Sequence, residues 1–86
     1  MRAIKLTLIS RSFCHLCSDM EAALAPLAAE FGAEVEVLDV DDDPALVERY
    51  DELVPLLLHN GVELCHYFLD AGRVRDCLRG IGFPGE

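Results

Sequence analysis

Cys14 and Cys17 stand three positions apart in the segment RSFCHLCSDM, residues 11–20. A CxxC pair suits three kinds of chemistry: half of a zinc site, a static disulfide, or a thiol couple that exchanges disulfides. Zinc takes four ligands in structural sites, and the extra donors here are His15 and the distant Cys65–His66, with no second CxxC. Position matters for the third reading, because the thiolate is the reactive form of cysteine. A cysteine at the start of a helix meets unpaired N–H groups and the positive end of the macrodipole, both of which favour negative charge. Cys14 is therefore expected to have a lowered pKa, with Arg11 as a further candidate stabiliser. Cys17 lies one helical turn on, close enough to close a ring with Cys14 but deeper in the helix. The asymmetry assigns attack on a substrate disulfide to Cys14 and resolution of the mixed disulfide to Cys17. His15 reads as an exposed residue at the helix start. The pair by itself leaves all three chemistries open.

The elements that must position this pair are legible in the surrounding pattern. Residues 4–10, IKLTLIS, are rich in Ile, Leu and Thr and predict a buried strand. Leu16, Met20, Ala23, Leu24, Leu27, Ala28 and Phe31 then recur at spacings of three and four, one stripe of an amphipathic helix. Gly32 supplies its stop, and Pro26 removes one backbone bond inside it, so a kink is expected there. Val35 to Val40, VEVLDV, predicts a second strand, and strand–helix–strand implies parallel pairing. Asp43-Pro44 is a helix start, with Asp at the cap and Pro in the first turn; Leu46, Val47 and Tyr50 form the apolar side of that helix. Val54-Pro55 breaks the pattern ahead of LLLH. Asn60-Gly61 predicts a hairpin pairing residues 56–59 with 62–68, since both turn residues tolerate positive φ. Val74, Cys77, Leu78 and Ile81 mark the apolar face of a closing helix, with Arg73, Arg75 and Arg79 on its polar face. Cys65 and Cys77 are read as small core residues. The expected order is β-α-β-α-β-β-α, an α/β fold with a four-stranded mixed sheet flanked by helices, in one domain over residues 1–86.

Composition narrows the function. A chain of 86 residues with 52% hydrophobic content can build one core without disulfide staples, although it contains four cysteines. The net charge of −9 argues against nucleic acid or an anionic membrane surface as partner. MRAIKLTLIS opens as a signal peptide does, but Lys5 interrupts the apolar run and no small-residue cleavage site precedes Phe13. No apolar stretch reaches the roughly 20 residues that span a bilayer. The expected setting is the cytoplasm, where thiols are kept reduced and a CxxC is catalytic or metal-binding rather than structural. The acidic run Asp39-Val40-Asp41-Asp42-Asp43 superficially opens a calcium loop. That loop needs Gly at its sixth position and Glu at its twelfth, where this chain has Pro44 and Tyr50; the run reads as a solvated strand end feeding a helix cap.

A CxxC beside a βαβ pattern reads as thioredoxin-like, and RSFCHLC with VPLLL resembles the RSxCxxC stretch and the "VP" plus apolar strand of bacterial glutaredoxins. The resemblance spans nearly the whole chain and is strongest to a small bacterial glutaredoxin-like family. It implies a thioredoxin-like fold, a cis peptide bond before Pro55, and a substrate pairing with the backbone of Val54 as an added strand. It implies a thiol–disulfide oxidoreductase with Cys14 and Cys17 as the redox couple and Arg11, Val54 and Pro55 at the substrate. A non-catalytic binding module of the same fold and a zinc-binding protein are the alternatives. Expected partners are a protein or small-molecule disulfide, and glutathione or a thioredoxin-type reductant, with no resident cofactor and a monomeric state. The chain departs from the resemblance twice. Leu69-Asp70-Ala71-Gly72 stands where glutaredoxins carry a Gly-Gly pair and an acidic residue that hold glutathione, so glutathione is expected to react poorly. His15-Leu16 replaces the Pro-Tyr usual between glutaredoxin cysteines.

Overall fold

The computed structural model of the protein describes residues 4–80; Ile81, assigned to the face of the closing helix, lies outside them. Strand β1 (Ile4–Ser10) is followed by helix α1 (His15–Phe31), strand β2 (Ala33–Asp39), a 3-10 turn over Val40–Asp42 and helix α2 (Pro44–Tyr50). Strands β3 (Leu56–His59) and β4 (Val62–His66) and helix α3 (Ala71–Gly80) complete the chain. The sheet order is β2-β1-β3-β4, parallel between β1 and β2 and antiparallel elsewhere.

The period-2 pattern of β1 divides the core into two layers. Leu6 and Leu8 face α1 and α3, packing with Met20, Leu24, Leu27, Leu57, Leu64, Cys65, Val74 and Leu78. Ile9 points the other way and joins Val40, Leu56 and Leu58 beneath Leu46, Val47, Tyr50, Leu53 and Val54. Helix α1 runs continuously through Pro26 and stops at Gly32. There φ is +66°, and the glycine N–H reaches back to the carbonyls of Ala28 and Ala29, a left-handed cap that glycine adopts without a Cβ penalty.

Some details differ from the sequence pattern. Ala23 is exposed, because a small residue at the margin of the α1 stripe gains little from burial. Val40 leaves the second strand: the Asp39 carboxylate accepts the Asp41 N–H at 2.9 Å and turns the chain into the 3-10 segment. The hairpin turns at Asn60 (φ +52°) and Gly61 (φ +80°) between the paired residues His59 and Val62. Its second strand ends at His66 rather than residue 68, where Tyr67 takes a positive φ of 66°. Leu57 pairs with Cys65 and Leu58 with Glu63, so Leu64 is an extra residue on β4. That bulge lets the adjacent Leu64 and Cys65 both face the α1/α3 layer.

Helix α2 is fixed at its start by a side-chain cap. Asp43 is its N-cap, accepting the Ala45 N–H at 2.9 Å. Asp43→Ala should lower stability by about 1 kcal/mol, the usual loss for an N-cap. Urea titration should show an earlier midpoint with an unchanged slope.

Candidate functional site

Strand register gathers the sequence-predicted site residues at one end of the sheet. Ser10 at the end of β1 pairs with Asp39 at the end of β2, and Ile9 pairs with Leu56 at the start of β3. Leu56 in turn pairs with His66 at the end of β4. The β1–α1 loop, the 3-10 turn, Val54-Pro55 and the Tyr67–Phe68 segment therefore share this end.

Cys14 is the N-cap of α1, with extended backbone (φ −103°, ψ 114°). Its Sγ accepts the Cys17 N–H at 3.1 Å, and its carbonyl accepts the Ser18 N–H at 3.2 Å. A sulfur at this position receives the donors that a helix start leaves unpaired. The two cysteines are at disulfide distance, with Cα atoms 5.2 Å apart. Cys14 is half-buried while Cys17 is only 4% exposed. Cys14 borders an open depression together with Arg11, Ser12, Phe13, His15 and Ser18. Val54 is half-buried, Pro55 is buried, and the peptide bond between them is cis.

Arg11 is engaged in a way its sequence position does not reveal. Its Nε and Nη2 donate to the two oxygens of Asp41 at 2.9 and 3.1 Å, and Nη2 also meets Asp51. Ser12 Oγ donates to Asp39 at 3.1 Å. The loop before Cys14 is thus fastened to the end of β2, to the 3-10 turn and to the end of α2. Asp41 and Asp51 lie 30 and 40 positions from Arg11 in the chain, too far for any local pattern to pair them. The bidentate hydrogen bonds from the guanidinium hold the Asp41 carboxyl below its ordinary range.

Linkage gives the pH dependence of this fastening. A depressed carboxylate contributes stability that is fully present above its unfolded value, about pH 4, and is lost as pH falls through its folded value. Asp41→Asn should remove that contribution. The stability difference between wild type and variant should be present near neutral pH and should shrink as pH drops below about 4. Denaturant midpoints measured at several pH values check it, and a difference that grows on acidification would contradict the pairing.

The other cysteines sit in the core layer. Cys65 is buried and Cys77 half-buried; burial, which penalises the charged form, pushes both thiols up. Among the described residues no group of three or more His, Cys, Asp and Glu side chains is arranged to hold a metal ion. Among the same residues no helix is long and apolar enough to cross a membrane.

The family model described as Glutaredoxin-like domain (DUF836) matches residues 5–79. The chain belongs to this family. A glutaredoxin-like domain of this kind is similar to a Nitrosomonas europaea protein solved by NMR, 37% identical with a TM-score of 0.78, covering 90% of this chain and 93% of that one. It is also similar to a structural-genomics target from X. campestris solved by X-ray, 38% identical with a TM-score of 0.71, covering 87% and 96%. Thioredoxin 1 of Thermosipho africanus, 18% identical over 92% of this chain and 99% of its own with a TM-score of 0.63, shares the fold. The glutaredoxin-like domain therefore has a thioredoxin-like fold, with the Cys14–Cys17 pair at the start of its first helix.

Proposed function

We propose that this protein is a thiol–disulfide oxidoreductase. The observation that carries this reading is the unequal pair: a half-buried Cys14 capping α1 and, at disulfide distance, a buried Cys17. In the reduced protein the Cys14 thiolate attacks one sulfur of a substrate disulfide. A mixed disulfide forms and the first substrate thiolate leaves. Cys17, deprotonated, then attacks Cys14 Sγ, closing the Cys14–Cys17 disulfide and expelling the second substrate thiolate. Two electrons pass to the substrate, and an external dithiol or a pair of glutathione molecules restores the couple.

Several features support the roles of the neighbouring residues. Val54 and Pro55 lead directly into β3, at the same end of the sheet as Cys14, which suits a substrate backbone laid against Val54. Arg11 borders the depression with Cys14 but shares its charge with Asp41 and Asp51. Its contribution is to position the loop rather than to supply a free cation. The Asp70 carboxylate accepts the Arg73 N–H at 3.0 Å and caps α3, so it is engaged within the chain. A glutathione site built on Asp70 would have to compete with that cap. A reducing cytoplasm and a monomeric working form fit this reading.

The test is reduction of insulin by dithiothreitol, followed beside reduction of a glutathione mixed disulfide. Catalysed insulin reduction with slower turnover of the glutathione adduct is the expected result. No catalysis of either reaction would refute the oxidoreductase reading.

A further inference from the structure

We propose that the thiol end of this domain is a docking surface for an extended, cationic polypeptide segment whose disulfide is flanked by bulky apolar residues. The inference rests on the redox reading of Cys14 and Cys17 and names the substrate that reading leaves open.

Exposed aromatic side chains are the first observation. Among the described residues, the large hydrophobics most open to solvent include the aromatics Phe13, fully exposed, Phe68 at 68% and Tyr67 at 40%. Single exposed apolar residues are ordinary, but these three share one end of the sheet. Phe13 precedes Cys14 and borders its depression. Tyr67 and Phe68 follow His66, and the Tyr67 N–H donates to the Pro55 carbonyl at 2.8 Å. Phe13 therefore borders the sulfur pair, while Tyr67 is joined to Pro55 and carries Phe68 beside it at the same end of the sheet. Two of them are held in place at a cost. Phe13 and Tyr67 have φ of 60° and 66°, a region unfavourable for aromatic residues that persists where surrounding structure enforces it. The Tyr67 hydroxyl donates to the Glu52 carbonyl, fixing its ring further. No core contact rewards the placement of Phe13, whereas a substrate side chain would.

Charge is the second observation. The loop of residues 11–12 is hydrogen-bonded to Asp39, Asp41 and Asp51 and supplies one cation, Arg11. Three carboxylates against one guanidinium leave this rim net negative, and Asp42 and Asp43 follow in the chain. A chain of net charge −9 repels an anionic tripeptide and attracts a cationic segment, chiefly through the association rate.

The experiment uses symmetric disulfide-linked peptides with three flanking patterns: Lys with Phe, Glu with Phe, and Lys with Ser. The dithiothreitol-reduced protein is mixed with each, and kcat/KM is measured at low and high salt. The Lys–Phe peptide should react about tenfold faster than either of the others. Its advantage over Glu–Phe should shrink at high salt, while its advantage over Lys–Ser should persist. In the double variant Phe13→Ser Phe68→Ser the Phe-over-Ser ratio should fall toward one with the charge ratio kept. Phe13→Leu Phe68→Leu should restore it. If wild type reduces all three peptides at similar rates, or prefers Glu–Phe, the docking surface is refuted and the oxidoreductase reading stands. If it reduces none, the oxidoreductase reading falls and the docking surface falls with it.

Discussion

Cys14→Ser should abolish disulfide reduction, and Cys17→Ser should instead arrest the reaction at a mixed disulfide. The helix cap keeps the two effects separate. Serine is a preferred N-cap residue, so its Oγ can accept the Cys17 N–H that Cys14 Sγ now takes at 3.1 Å. Cys14→Ser should therefore fold normally while lacking a nucleophile, with a loss on the order of a thousandfold or more. Cys17 is 4% exposed and inside the first turn of α1, where a small hydroxyl fits but cannot resolve an adduct on Cys14. Intact-mass measurement after incubation with a peptide disulfide should find one adduct on Cys17→Ser protein and none on Cys14→Ser. Cys65 and Cys77, with thiols pushed up by burial, should stay unmodified on the same timescale. Substantial insulin reduction by Cys14→Ser protein would assign the chemistry to another residue.

The largest effect on stability is expected from Leu57→Ala. Leu57 is fully buried on β3, the strand that pairs with β1 on one side and β4 on the other. It packs among Leu6, Leu8, Leu24, Val74 and Leu78, joining the layers contributed by α1 and α3. Truncating such a side chain removes its transfer free energy and leaves a cavity, costing about 2–5 kcal/mol. Domains have total stabilities of roughly 5–15 kcal/mol. For a chain of this size each 1 kcal/mol lowers Tm by about 4–8 °C, so the variant should melt at least about 8 °C below wild type. Val47→Ala, on the half-buried face of α2, should cost far less. Calorimetry of the two variants beside wild type checks the ranking, and a Leu57→Ala protein as stable as Val47→Ala would contradict the assignment of the main core.

Local signals carried most of the fold. The strand IKLTLIS, the cap Asp43-Pro44 and the turn Asn60-Gly61 are each specified by residues within one element, and the structure has an element at each. Other details lay outside those signals. Val40 is β-forming, yet the Asp39 side chain diverts it into a 3-10 turn. The bulge at Leu64 has no marker such as glycine, and arises where the hairpin must turn two neighbouring apolar residues into one layer. At the site, the CxxC spacing marks the cysteine pair, whereas Val54-Pro55 is marked by the resemblance to glutaredoxins. Phe13 carries no such mark, since no local pattern announces its backbone φ of 60° or its full exposure. Arg11 was legible as a charge near Cys14, but its carboxylate partners come from the acidic run and from the end of α2, segments that only the folded sheet brings to it.

An equilibrium redox titration of the Cys14–Cys17 pair against glutathione or dithiothreitol buffers decides whether the pair is a working thiol couple. It is best done in a Cys65→Ser Cys77→Ser background so that only this couple responds. A reversible two-electron transition is expected, with a midpoint in the range of known oxidoreductases, about −270 to −120 mV. A pair that resists reduction to below about −300 mV, as structural disulfides do, or one that never forms the intramolecular disulfide, would contradict it.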